Sequence, residues 1–146
     1  MATTQSIKHI LVPVDGSQSA CNAAAYAGTL ARAFGAELTL LHVFNAPAVT
    51  AMGLVALARA DLQRAQQEVS RGAFDKARAA VGEGLTIHER TELGDPAAEV
   101  LSILRTGGAD QVVMGTRGLS PMQEILLGSV SERVLAHAPC PVTLVH

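Results

Sequence analysis

Short, almost wholly apolar runs alternate along this chain with longer segments in which small and apolar residues recur at helical spacing. The first run, His9-Ile10-Leu11-Val12-Pro13-Val14, is apolar at nearly every position, which predicts a strand buried on both faces. Asp15-Gly16-Ser17 supplies a turn and puts Ser17 at the N-cap of a helix. In that helix Ala20, Ala23, Ala24, Ala27, Leu30, Ala31 and Phe34 form one face, small enough to lie close to a sheet, and Gly35 ends it. Leu38 to Val43 reads as a second buried strand. From about Ala51 to Val81, Leu54, Leu57, Ala58, Leu62, Ala65, Val69, Ala73, Ala77 and Ala80 share a face of a long helix, which Gly72 should weaken by about 1 kcal/mol.

Leu85 to Arg90 alternates apolar and polar residues, the pattern of an edge strand with one wet face. Gly94-Asp95-Pro96 gives a turn, an N-cap and a proline at the first helical position, opening a helix that closes near Gly107-Gly108. Gln111 to Met114 is a fourth strand. A loop to about Leu127 leads to a helix starting near Gly128-Ser129, and Pro141 to Val145 is a fifth strand. Strands separated by helices, with no hairpin signal, predict an α/β fold: an open, doubly wound parallel sheet with right-handed crossovers and helices on both faces. In such sheets ligands sit beyond the carboxyl ends of the strands where the strand order reverses. That directs attention to Asp15–Ser17, His42–Asn45 and Gly115 onward.

Composition narrows the function. The 146 residues are 49% hydrophobic and 16% charged, enough to build one core and the length of one domain, 1–146. Eleven basic against thirteen acidic residues leave a net charge of −2, without the basic excess that neutralises phosphates along nucleic acid. Aromatic residues make up 3%, so neither base-stacking platforms nor a membrane aromatic belt is expected. Many of the apolar residues are alanine, too weakly apolar to favour a membrane span, and the first apolar run is too short for a secretory leader, so a cytoplasmic protein is expected. Cys21 and Cys140 are too few and too far apart for a disulfide framework or a zinc site, and read as buried thiols.

The candidate chemistry lies where the fourth strand meets the last helix. Gly115-Thr116-Arg117-Gly118 is followed after nine residues by Gly128-Ser129-Val130-Ser131. Gly115 turns the chain off the strand, Gly118 allows close backbone approach to a ligand, and Gly128-Ser129 offers free N–H groups at a positive helix end. A single glycine usually serves only a turn, but this pairing of strand exit and helix entry reads as a phosphate cradle. Arg117 lies within that loop, where a phosphate contact competes with ordinary solvation. Asp15, at a strand end, is either a turn former or a ligand for a sugar hydroxyl or divalent cation. His42, at the rim, reads as a packed rather than a catalytic histidine.

Gly115-x2-Gly118-x9-Gly128-Ser129 resembles the ATP-binding signature of the universal stress protein family. Ile10 to Ser17, Leu41-His42-Val43, Gly94-Asp95-Pro96 and Pro139-Cys140-Pro141-Val142 are similar to its other landmarks, in order, over the whole chain. The resemblance implies an adenine-nucleotide alpha-hydrolase-like sheet of order 3-2-1-4-5, a homodimer, and ATP at the carboxyl ends of strands one, two and four. It also implies that Asp15 lies near the ribose and a metal such as Mg2+, and that the Val43 backbone reads adenine. Gly115, Gly118, Gly128, Ser129, Val130 and Ser131 would then hold ribose and phosphates, with Pro13, Val14, Met114 and Arg117 completing the site. The homodimer would pair through Val142, Thr143, Leu144 and Val145, an apolar outer strand without charges to blunt its edge.

Other nucleotide and hydrolase signatures are missing. There is no Gly-x4-Gly-Lys-Ser/Thr, and Lys8 and Lys76, the only lysines, fall outside the cradle, which argues against fast ATP hydrolysis. Gly82-x-Gly84 lacks a third glycine, His88-Glu89 has no second histidine at metalloprotease spacing, and no Gly-x-Ser-x-Gly elbow occurs. Three functions stay open at this point: an ATP-binding dimeric regulatory module of the stress response, a slow ATPase or nucleotide-transferring enzyme, and a dimerising protein with a vestigial site.

Overall fold

The computed structural model describes residues 5–45, 59–117 and 127–146. Five strands, β1 (His9–Pro13), β2 (Glu37–Asn45), β3 (Ile87–Gly94), β4 (Gln111–Gly115) and β5 (Val142–Val145), form one parallel sheet in the order β3-β2-β1-β4-β5. The described helices are α1 (Gln18–Phe34), α2 (Arg59–Val81), α3 (Pro96–Arg105) and α4 (Ser129–His137). Alternate residues of the central strands feed two cores. Ile10, Val12, Leu38, Leu40 and Val113 meet the alanine face of α1 and Phe74 of α2, whereas Leu11, Leu41, Val112 and Met114 meet α3 and Val134 of α4. Burial on both faces is why these strands read as unbroken apolar runs.

Local signals set the helix ends. Ser17 caps α1, accepting from the Ala20 N–H at 3.2 Å, and Asp95 caps α3, accepting from the Ala98 N–H at 2.9 Å. Gly35 closes α1 in the left-handed conformation, φ 66°. Phe34 departs from the expected core face: it is 56% exposed, because the helix ends one turn past Ala31, its last buried residue. In α2 the buried face is Ser70, Ala73, Phe74, Ala77 and Val81, and Val69 is 51% exposed. The expected stripe is therefore rotated, since Phe74, the largest apolar side chain of α2, takes the inward position and sets the helix phase. The buried Ser70 hydroxyl is satisfied within the helix by the Gln66 carbonyl at 2.8 Å. Gly72 lies on the exposed face and α2 runs through it; the part of the expected helix before Arg59 lies outside the described residues.

The third strand begins and ends later than its alternation suggests. Gly82 and Gly84, at φ 85° and 89°, carry the chain to β2, and pairing then runs from Leu38 opposite Ile87 to Asn45 opposite Gly94. Towards α2, Glu89 accepts from Arg71 and Arg78, each at 2.6 Å. Partial burial opposes its charge, but the hydrogen bonds from Arg78 and Arg71 outweigh it and hold the Glu89 carboxyl below its ordinary range. Both cysteines are free and half-buried rather than buried. Cys21 lies on the flank of α1 beside the buried Ala20, and Cys140 in the turn between the exposed Pro139 and Pro141. Among the described residues no helix is long and apolar enough to cross a membrane.

Candidate functional site

The strand order reverses between β1 and β4, and a cavity of about 280 Å3 opens there at the carboxyl ends of β1, β2 and β4. Pro13, Val14, Asp15, Val43, Met114, Gly115, Arg117, Gly128, Ser129, Val130 and Ser131 all line it. Gly118 lies outside the described residues. Ala20, Leu41, Pro96 and Val100 also line it and were missed by the sequence reading. Of these, Pro96 had a signal, since a proline at the first turn of a helix that follows a strand stands at the carboxyl edge of the sheet.

After β1 the chain turns on Gly16, φ 84°, and the Asp15 Oδ1 accepts from the Ser17 N–H at 2.9 Å. Asp15 is thus a turn former, and its exposed carboxylate also stands at the cavity. Among the described residues no three His, Cys, Asp or Glu side chains gather into a set able to hold a metal. A cation at Asp15 would need the rest of its ligands from a bound phosphate chain.

After β4 the need for glycine at position 115 differs from the one expected. Gly115 does not have a positive φ, so it is no sharp turn; instead a Cβ there would lie 2.8 Å from the Ser19 backbone carbon and would also meet the Ser19 hydroxyl. The small residue lets the start of α1 close over the end of β4. Thr116, 3% exposed, then ties three elements: its N–H donates to the Val145 carbonyl at 3.0 Å, and its carbonyl accepts from the Gly128 N–H at 2.6 Å. The Ser131 hydroxyl donates to the Gly115 carbonyl at 2.8 Å, which commits its one proton to the fold.

Three helices begin around this cavity, and their ends differ. Side chains cap α1 and α3, but Gly128 has none with which to cap α4. Ser129 and Val130, in the first turn of α4, line the cavity, and the first-turn N–H groups have no intrahelical acceptor at the positive end of the helix dipole. Arg117 is the one cation lining the cavity among the described residues. Leu41, Val43, Pro96, Val100 and Met114 make the lining otherwise largely apolar. The site combines an uncapped helix start and a cation with apolar lining.

His42 is not part of it. Strand alternation turns it to the other face, where it is 5% exposed, packs edge-to-face on Phe74 with ring centroids 6.4 Å apart, and leaves its buried Nδ1 unpartnered. The expected position on the rim is corrected; the expectation of a packed histidine agrees with this environment. Burial pushes its pKa down, and the Asp15 carboxylate partly offsets this. The folded state therefore binds this proton less readily than the unfolded chain, so the His42 contribution to stability is present above about pH 6.5 and is lost as pH falls below it. Unfolding by urea across pH 5–8 should show a loss on acidification that His42→Leu reduces. An equally steep acid loss in that variant would contradict the assignment.

The sequence profile of the universal stress protein family matches residues 6–146. This chain belongs to that family. It is 36% identical over 145 residues to universal stress protein MJ0531 of Methanocaldococcus jannaschii, covering 94% of this chain and 81% of that protein. It is 32% identical over 146 residues to YxiE of Bacillus subtilis, covering 93% and 97%. Among solved structures, the hypothetical protein MJ0577, the subject of a structure-based functional assignment, superposes with a TM-score of 0.82 at 26% identity, covering 97% of this chain and 96% of that one. A universal stress protein solved in complex with cAMP superposes with a TM-score of 0.67 at 28% identity, covering 97% and 98%. The two solved structures share its fold over nearly the whole chain.

Proposed function

We propose that this universal stress protein binds ATP at the switch-point cavity and acts as a dimeric, cytoplasmic regulatory module. The observation that carries the reading is the uncapped start of α4, the one helix around the cavity without a side-chain cap, whose first residues line the same cavity as Arg117. Polyphosphate would accept from the N–H groups of Ser129, Val130 and Ser131 and pair with Arg117. Adenine would enter the apolar slot beside the Val43 backbone, with the ribose and phosphates running past Gly115 and Gly128, which line the cavity. Asp15 would face the ribose or complete the shell of a Mg2+ carried by the phosphates. The cavity is near the lower end of small-molecule sites, about 300–1,000 Å3, which suits a base and ribose with phosphates reaching the rim. The cAMP held by one relative supports the adenine-nucleotide class.

No lysine lines the cavity among the described residues, so the reading is binding and reporting rather than fast phosphoryl transfer. The test is mass spectrometry of nucleotide released from freshly purified protein, followed by calorimetric titration of the stripped protein with ATP and with cAMP. Binding of ATP in the micromolar range is expected. No released nucleotide and no heat with either compound would reject the reading; preference for cAMP would move the ligand within its class.

A further inference from the structure

The last residues of the chain are fastened beside the cavity. The Val145 carbonyl, at the end of the outer strand β5, accepts twice: from the Thr116 N–H at 3.0 Å and from the Ser19 hydroxyl at 3.2 Å. The same Ser19 oxygen accepts from the Arg117 N–H at 3.4 Å, and the Thr116 carbonyl holds the first residue of the α4 cap at 2.6 Å. One turn along α1, the Asn22 Nδ2 donates to the His146 carbonyl at 2.8 Å. Ser19 and Asn22 do not line the cavity, and neither is needed as a cap, since Ser17 fills that role. Gly115 lets Ser19 come this close, because a Cβ there would displace it.

We propose that Ser19, with Thr116, couples occupancy of the cavity to pairing of the β5 edge, so that nucleotide strengthens the dimer and dimerisation strengthens nucleotide binding. The proposal rests on the function proposed above and adds its regulation. A phosphate chain held by Arg117 and the start of α4 restrains the backbone of Thr116 and Arg117, and through Ser19 and Thr116 it restrains the Val145 carbonyl. β5 has only four residues, all half-buried, and its carboxyl end is held by these bonds. Ordering an edge before it pairs lowers the conformational cost of association. Because binding free energies are linked, the effect must be reciprocal.

The dimer dissociation constant is measured by analytical ultracentrifugation with and without saturating ATP, and ATP binding by calorimetry, for wild type, Ser19→Ala and Asn22→Ala. In the wild type ATP should lower the dimer dissociation constant about tenfold, within the usual range of such couplings. Ser19→Ala should still bind ATP and still dimerise, with that ratio falling towards one, and Asn22→Ala should move it the same way. A general loss of stability would weaken binding and pairing without changing their ratio. Equal dimer constants with and without ATP in a wild type that binds and dimerises would overturn the coupling alone, as would an undiminished ratio in both variants. A wild type that binds no nucleotide or stays monomeric would overturn the proposed function and this inference together.

Discussion

Ser129→Asp is expected to abolish ATP binding while leaving the fold at least as stable. Ser129 is exposed at the first position of α4 and lines the cavity, so the substitution meets no steric barrier. A carboxylate in this first turn is favoured by the helix dipole by about 0.3–1 kcal/mol. The same charge faces the polyphosphate. At about 5 Å and an effective dielectric of about 20, one pair of like charges costs roughly 3 kcal/mol, which corresponds to about a hundredfold or more in affinity. Ser129→Ala, which keeps the backbone donors, should bind within a few fold of wild type. Calorimetry and thermal melts read both effects: wild-type affinity in Ser129→Asp would show that phosphate does not lie at the start of α4.

Leu144→Lys is expected to convert a wild-type dimer into a monomer. The Pro141 and Val145 carbonyls accept from the Val112 and Thr116 N–H groups, so by strand alternation the amides of Val142 and Leu144 face away from the sheet, along an edge that no charge blunts. A second copy paired antiparallel across a two-fold axis would satisfy both sets of amides at once. Leu144 also packs against the core below α4, so a lysine must either bury its charge at the seam or swing out across it. An unpaired buried charge costs about 3–5 kcal/mol, enough to raise the dimer dissociation constant at least about a hundredfold. Leu144→Pro, which removes the outward N–H and adds no charge, should act in the same direction. Light scattering at tens of micromolar decides: a monomeric wild type, or variants as firmly dimeric as wild type, would exclude this edge.

The cap signals were legible because each works within a few residues. Ser17, Gly35 and the Asp95-Pro96 pair act on groups two to four positions away, and all three lie where their residue types predict. Unbroken apolar runs marked four of the five strands, since burial on both faces leaves a one-dimensional trace, and the alternation from Leu85 to Arg90 marked the wetter edge strand. The resemblance in the glycine signature gave the strand order that the sheet has. Most of the cavity lining followed from the same step, because a sheet that reverses between β1 and β4 brings their carboxyl ends together whatever side chains they carry.

Sequence alone determined the alternation of strands and helices, their caps and the carboxyl edge on which the cavity opens, because each depends on backbone geometry and near neighbours. Only the tertiary structure decided what individual residues meet. It turned His42 away from the cavity and onto Phe74, and brought Phe74 inward in place of Val69. It gave Gly115 a packing reason instead of a turning one, and showed Ser131 committed to the Gly115 carbonyl. It joined Ser19, Thr116 and Val145, which lie as much as 126 positions apart. Such contacts leave no periodic trace, since they form only when separate elements pack, and the free energy that selects them comes from filling space and pairing buried polar groups across the fold.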